Sequence, residues 1–432
     1  MLDCQATHNF EDHSKYSGAT TLKWKYRLLV TKKSFAGLAF LVFLFLSMAL
    51  PSGDVGPINI KLISFFGFIV PLLLCNIMVS IRYLAAALII AISLGIWFFI
   101  GITNLGIIAM PALQLKAIAI TIITPAISYL LLNNKIIEPR NIYITIIYAV
   151  VFVAVAKVLL LFYALAMHIN FINLTENVAN FFSTQIMTME ITGLLYRFQL
   201  PADLAGPVAL FALLSSKLLG FDNYFKKITS LVFVVMITFT CFISYSRYVW
   251  GMLFVVILIT FPYSRLSRRY SMAALILLIV AIASSYGVRE AFVTRLASNA
   301  TTISDNIRLE ELPALLAQFE TAPILGHGLG AYLPDLIRDK HSMFSYELQW
   351  VALLMQIGIV GIIGVVILLA GVARPFLLVG NKNKLSILIL FILWLSSGFF
   401  NPYLTSSAAG AIFSFFVAAG YSMRNKPSRL FF

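Results

Sequence analysis

The sequence predicts an all-α, polytopic integral membrane protein of about twelve transmembrane helices with one long outer loop, and three observations predict it. Of 432 residues, 61% are hydrophobic and only 11% charged, with 36 Phe and a mean hydropathy of +0.95, whereas a soluble domain carries about 25% charged residues. Apolar runs long enough to cross a bilayer, about 20 residues each, recur along the chain. Lys and Arg are unevenly divided between alternate connections. A soluble enzyme is excluded. The formal charge of +14 names no nucleic-acid partner, because Lys and Arg accumulate in cytoplasmic loops, where they set orientation.

The chain opens with a polar tail, residues 1–33, carrying Lys23, Lys25, Arg27, Lys32 and Lys33. It is too long a lead for a cleaved signal peptide, so the first apolar run reads as an uncleaved anchor. Spans are predicted at Ser34–Leu50, Ile60–Val79, Tyr83–Ile102, Ala112–Leu132, Ile142–Met167, Asp203–Gly220, Thr229–Ser246, Tyr248–Ser264 and Met272–Tyr286, the first nine helices of segment 34–286. Three more follow in 349–423, at Gln349–Gly371, Leu385–Phe399 and Ala408–Met423, before a short tail, 424–432. The pair either side of Arg247 has almost no turn, and one bent helix is its alternative. With a cytoplasmic N-terminus, Arg82, Lys135, Arg140, Lys226, Lys227, Arg265, Arg268, Arg269, Arg374, Lys382 and Lys384 fall inside. The outer turns Pro51–Asn59 and Thr103–Met110 carry neither Lys nor Arg, so both termini are expected in the cytoplasm.

This assignment leaves two long segments outside, His168–Ala202 and the loop 287–348. Long ordered loops usually carry function, and catalytic elements are expected here. In the longer one, Leu309, Leu312, Leu315, Leu316 and Phe319 recur at helical spacing, with a kink expected at Pro313, so it should fold against the membrane domain. In the other, Phe181–Leu195 mixes apolar residues with Thr184, Gln185, Thr188 and Glu190 and reads as a helix lying at the interface.

Cys4, Cys75 and Cys241 are odd in number and scattered, and no close His/Asp/Glu cluster has ligand spacing, so no metal and no cofactor are expected. Gly326, Gly328 and Gly330 in Gly-His-Gly-Leu-Gly follow no strand and precede no Gly-Lys-Ser/Thr, which rejects a nucleotide loop; they still allow tight turns and close backbone approach. His327 between them is a possible substrate contact or a structural hydrogen-bonding residue. The outer segments are rich in arginine, whose guanidinium forks onto phosphate oxygens, a fit for a lipid diphosphate; headgroup contact is the alternative. Lys157 sits within an apolar run, where a charge is costly enough to suggest substrate binding unless it is paired structurally. Tyr196 and Tyr346 offer faces for sugar rings or interfacial anchoring.

Read in order, Tyr-Arg-Phe-Gln-Leu-Pro from Tyr196, Tyr-Ser-Arg at Tyr245–Arg247, Asn-Ile-Arg at Asn306–Arg308, Ala-Pro-Ile-Leu-Gly-His-Gly-Leu-Gly from Ala322, and Glu347-Leu-Gln-Trp running into Gln-Ile-Gly-Ile-Val-Gly at Gln356–Gly361 resemble the O-antigen ligase and polymerase superfamily. The resemblance covers roughly Gly193–Gly364. It implies a GT-C-like, metal-independent glycosyltransferase of the bacterial inner membrane, acting at its periplasmic face on undecaprenyl-diphosphate-linked oligosaccharide. A chain-length regulator protein is a further expected partner. Arg197, Arg247 and Arg308 fall where the family carries arginines and are implied as diphosphate binders. Ligases carry a His-Asn pair where Glu347-Leu348 stands here, which favours a polymerase; an O-antigen ligase and a lipid-linked oligosaccharide flippase are the alternatives. A sugar hydroxyl is a poor nucleophile and needs a proton acceptor. Glu347 is the leading candidate base and His341 the second, the alternative for Glu347 being a salt bridge to Arg338 or Lys340.

Overall fold

A computed structural model of the chain describes residues 33–55, 58–75, 79–182, 187–192, 195–221, 224–263, 265–283, 299–378 and 384–424. The polar tail up to residue 32, the terminal residues 425–432 and residues 287–298 of the long loop lie outside the described residues. The described chain is helical. It runs α1 (Lys33–Ala49), α2 (Ile60–Leu73), α3 (Ile81–Leu105), α4 (Ala109–Asn133), α5 (Pro139–Ala166), α6 (Phe171–Phe181), α7 (Ala205–Leu214), α8 (Ser216–Leu219), α9 (Lys227–Ile243), α10 (Arg247–Thr260), α11 (Arg265–Ala283), α12 (Asn299–Thr321), α13 (Gln349–Leu378), α14 (Lys384–Ser396) and α15 (Ser407–Arg424). Among the described residues, each predicted span overlaps helix. Four helices among the described residues are long and apolar enough to cross a membrane: Ile81–Leu105, Ala109–Asn133, Pro139–Ala166 and Gln349–Leu377.

The core is built around α7. All ten of its residues are buried, as expected of a helix that is apolar on every side, and α5, α9 and α10 pack against it while α15 lies along α4 and α5. Connections assigned to the outer side meet at one end. Asn104 Nδ2 donates to His327 O at 3.0 Å, Gln199 Nε2 to Asn401 Oδ1 at 3.4 Å and Gln349 Nε2 to Thr405 Oγ1 at 2.6 Å, and the Ser52 hydroxyl donates to Phe182 O. At the other end Tyr143 and Ser422 share a hydrogen bond of 3.0 Å, and the Tyr263 hydroxyl donates to Ser386.

Segment Phe181–Leu195 departs from the expected interfacial helix. Helix α6 ends at Phe181, and β3 (Met187–Thr192) pairs antiparallel with β4 (Leu195–Gln199), Met189 opposite Arg197. The alternation in Met-Thr-Met-Glu-Ile-Thr, with two β-branched threonines and an isoleucine, suits a pleated strand better than a helix face. A second small hairpin, β1 (Asp54–Val55) with β2 (Ile58–Asn59), leads into α2. The chain either side of Arg247 forms two helices, with Tyr245 at φ +45° in the break and the Ser246 hydroxyl accepting from Val249 N at the start of α10.

The helical expectation around Pro313 holds: α12 runs through it and packs on α13. Helix α13 breaks at Gly358, at φ 63° and ψ −173°. A break inside an apolar helix exposes peptide groups that must find partners, and the glycine-rich loop supplies them. Ile359 N and Val360 N donate to Pro323 O and Ile324 O, while Met355 O and Gln356 O accept from His327 N and Gly328 N. The loop is also bound to α3, where Leu329 N donates to Trp97 O at 2.9 Å and Trp97 Nε1 donates to Leu325 O at 2.8 Å. At Gly328, φ is +87° and a Cβ would overlap the backbone of Gly101, so a side chain is excluded by conformation and by space.

Candidate active site

Three side chains proposed from the sequence meet at the end where the outer connections gather. Arg308, on α12, forms an ion pair with Glu347, just before α13, at 2.8 Å, and both side chains are about four-fifths buried, with 22% and 21% exposure. The Arg308 guanidinium lies 5.7 Å from the centre of the Phe400 ring, within cation–π range. Arg197, on β4, donates to Gln199 Oε1, and Gln199 reaches Asn401 in the turn between α14 and α15. Burial pushes the Arg197 guanidinium down from its ordinary value, opposed by Tyr403 and Glu347 and reinforced by Arg308; an arginine nevertheless remains a cation.

Arg247 opens α10 at this end. Its neighbour Tyr248 stacks on Phe400 with ring centroids 5.2 Å apart, and the Tyr248 hydroxyl lies 3.0 Å from Ser396 Oγ. Arg197 and Arg308 therefore enter from a strand and a helix far apart in sequence.

Glu347 differs from its expected alternative, a bridge to Arg338 or Lys340. Arg338 instead donates to Glu311 at 3.0 Å. Glu311 is fully buried, and its other oxygen accepts from Leu348 N at 3.3 Å. That brace fixes the backbone beside Glu347 and leaves its carboxylate to Arg308. Burial raises the Glu347 carboxyl above the ordinary carboxylate range, the Arg308 charge pulls it back, and Glu311 raises it further. A partly desolvated carboxylate beside cations is a base whose affinity for a proton is tuned upward without losing its charge partner.

His341, His327 and Tyr346 have other partners. His341 follows Asp339, whose carboxylate accepts from its backbone N–H at 2.8 Å, and the residue is exposed. His327 Nε2 lies 2.8 Å from Gln318 O and 2.9 Å from Thr321 Oγ1, closing the C-terminal end of α12. Tyr346 is 1% exposed, and its hydroxyl accepts from Leu333 N at 2.6 Å; burial pushes its phenol up to about 12. Both take structural positions rather than open ones. Tyr196 pairs through its backbone with Glu190 in the hairpin.

Lys157 takes the structural alternative. Its Nζ lies 2.6 Å from both Asp203 carboxylate oxygens and donates to Phe198 O at 2.8 Å, with the two side chains 1% and 0% exposed. Asp203 also accepts from Leu200 N at 2.8 Å. The pair thus anchors the strand end that carries Arg197. Lys157→Met alone should destabilise the protein by about 3–5 kcal/mol, because it leaves a buried charge without its counter-ion, whereas Lys157→Met with Asp203→Leu should recover most of that loss. Thermal unfolding of the purified variants checks this, and equal melting temperatures for the single and double variants would contradict it.

The sequence reading missed the turn between α14 and α15. Phe400, Asn401 and Tyr403 there complete the wall around Arg197 and Arg308, and the Tyr403 phenol is raised by burial and opposed by Arg197. The available signal was an aromatic and polar stretch, Phe400-Asn-Pro-Tyr403, between two apolar runs on the outer side.

The family model Wzy_C, described as O-antigen ligase, matches residues 231–366. The matched region contains Arg247, Arg308 and Glu347 and lies between Arg197 and Tyr403. No curated protein and no solved structure matches the chain.

Proposed function

We propose that this chain, a membrane protein of the O-antigen ligase and polymerase superfamily, is a surface-polysaccharide polymerase. It transfers a growing undecaprenyl-diphosphate-linked glycan onto the non-reducing-end sugar of a new lipid-linked repeat unit. The observation that carries the reading is the Arg308–Glu347 ion pair beside Arg197. Arginines stabilise the charge that develops on the departing lipid diphosphate, and Glu347 takes the proton of the attacking sugar hydroxyl. When the diphosphate engages Arg308, the guanidinium exchanges one anion for another and Glu347 is released to act as base. Direct attack on the anomeric carbon inverts it. In this reading the twelve helices cross the inner membrane, the site faces the periplasm and both termini are cytoplasmic. A glutamate at the position where ligases carry His-Asn favours polymerisation over a single transfer.

Purified protein given the lipid-linked repeat unit, without nucleotide sugar and with a metal chelator present, should yield a ladder of longer lipid-linked chains. A single transfer to lipid A-core with no ladder would establish a ligase instead. Activity restored only by one added metal would refute the metal-independent route.

A further inference from the structure

Glu311 takes no part in the proton transfer described above, yet its carboxylate is 0% exposed. Burying such a charge is costly unless its oxygens are partnered. One oxygen accepts from Arg338 Nε at 3.0 Å and the other from Leu348 N at 3.3 Å. Arg338 is the more open partner, with 30% of its side chain exposed, and its Nη2 lies 3.5 Å from Ile307 O. Arg308 and Glu311 stand one turn apart on α12 and so share a face of that helix. They hold adjacent residues of the segment leading into α13: Arg308 pairs with the Glu347 side chain at 2.8 Å, and Glu311 accepts from the backbone N–H of Leu348. On the other side of Glu347, Tyr346 is buried in one apolar cluster with Leu315, a turn beyond Glu311, and its hydroxyl accepts from Leu333 N at 2.6 Å. Both chain neighbours of Glu347 are therefore fixed by groups other than Arg308.

The two links between α12 and this segment respond differently to a substrate. A diphosphate that engages Arg308 breaks the first, because the guanidinium exchanges the Glu347 carboxylate for phosphate oxygens. The second depends on a buried anion, which a diphosphate neither binds nor displaces. We infer that Glu311 is a positioning residue: through Leu348 N it keeps the Glu347 carboxylate at the reacting centre once Arg308 has turned to the diphosphate. The inference rests on the reading of Glu347 as the base. A carboxylate released from its ion pair gains rotamer freedom, and a backbone free to shift would add to the loss of position. Misplacing a reacting group by about 1 Å costs about a hundredfold in rate, which is the loss that the brace prevents. Arg338 supplies the counter-charge that lets Glu311 stay ionised out of water.

The test measures single-turnover glycan transfer, and binding of a sugar-free polyprenyl diphosphate, by the full chain in phosphatidylcholine nanodiscs. Glu311→Gln is made in two backgrounds, wild type and Glu347→Gln. The amide keeps the size of Glu311 but presents one acceptor oxygen where Arg338 and Leu348 N use two. In the wild-type background the rate should fall about ten- to a hundredfold, with diphosphate affinity and abundance unchanged. In the Glu347→Gln background the residual rate should fall no further, because residues that act through one group are not additive. A merely structural role gives the same factor in both backgrounds, or lowers affinity and abundance along with the rate; either result would overturn the inference, as would a wild-type rate in Glu311→Gln. Should Glu311→Gln not accumulate, Arg338→Lys and Arg338→Gln take its place. Lysine, which keeps the counter-charge, should retain the rate, and glutamine should lower it only where Glu347 is present; equal rates in the two would overturn the inference. If Glu347→Gln itself transfers normally, the base reading falls and the inference with it, whereas an inactive Glu347→Gln beside a fully active Glu311→Gln removes the inference alone. Single transfer in place of a ladder removes the polymerase reading and leaves the inference to be decided on that transfer.

Discussion

Glu347→Gln should abolish chain extension while leaving abundance and lipid-diphosphate binding intact. The amide keeps the size and much of the hydrogen bonding toward Arg308, 2.8 Å away, but cannot accept the proton of the attacking hydroxyl. Loss of a positioned general base costs about 10²–10⁴ in rate. In the wild type the pH dependence follows from the direction in which Glu347 is shifted. Burial raises its carboxyl, and the base works only when deprotonated. Activity should therefore fall on the acid side at a pH above the ordinary carboxylate range and be full above it. Single-turnover rates across pH check both points. If Glu347→Gln extends chains normally and His341→Ala does not, the base is His341; if both remain active, departure of the diphosphate drives the displacement without a base.

Arg308→Ala and Arg197→Ala should each lower kcat by about 10²–10³, the effect of removing one preorganised donor from a developing anion. Lysine should rescue poorly at both positions, because it loses the planar fork. The two variants should differ in pH behaviour. Arg308 is the counter-ion of Glu347 and holds its carboxyl down, so Arg308→Ala should move the acid limb to higher pH as well as lowering the rate. The Arg197 charge acts on Glu347 more weakly than those of Arg308, Glu311 and Arg338, so Arg197→Ala should lower the rate with a smaller shift. Equal shifts in the two variants would mean that the ion pair does not set the basicity of Glu347.

By itself the sequence determined the class of the protein, the position of most of its described helices and the residues from which a site could be assembled. These are local properties: the length of an apolar run decides whether a segment is helical in a bilayer, and an arginine or glutamate in an outer segment is visible wherever the chain later carries it. Only the tertiary structure decided the partners. Glu347 lies closer in sequence to Arg338 than to Arg308, yet Glu311 takes Arg338 and leaves Glu347 to Arg308. Lys157 meets Asp203 because a turn enters the bundle beside α5, and Tyr403 joins Arg197 across about half the chain. The break at Gly358 is stable because a loop some thirty residues earlier supplies the missing backbone hydrogen bonds. Ion pairing and backbone satisfaction in an apolar medium depend on which groups are desolvated together, and that is fixed by packing between distant segments rather than by spacing along the chain.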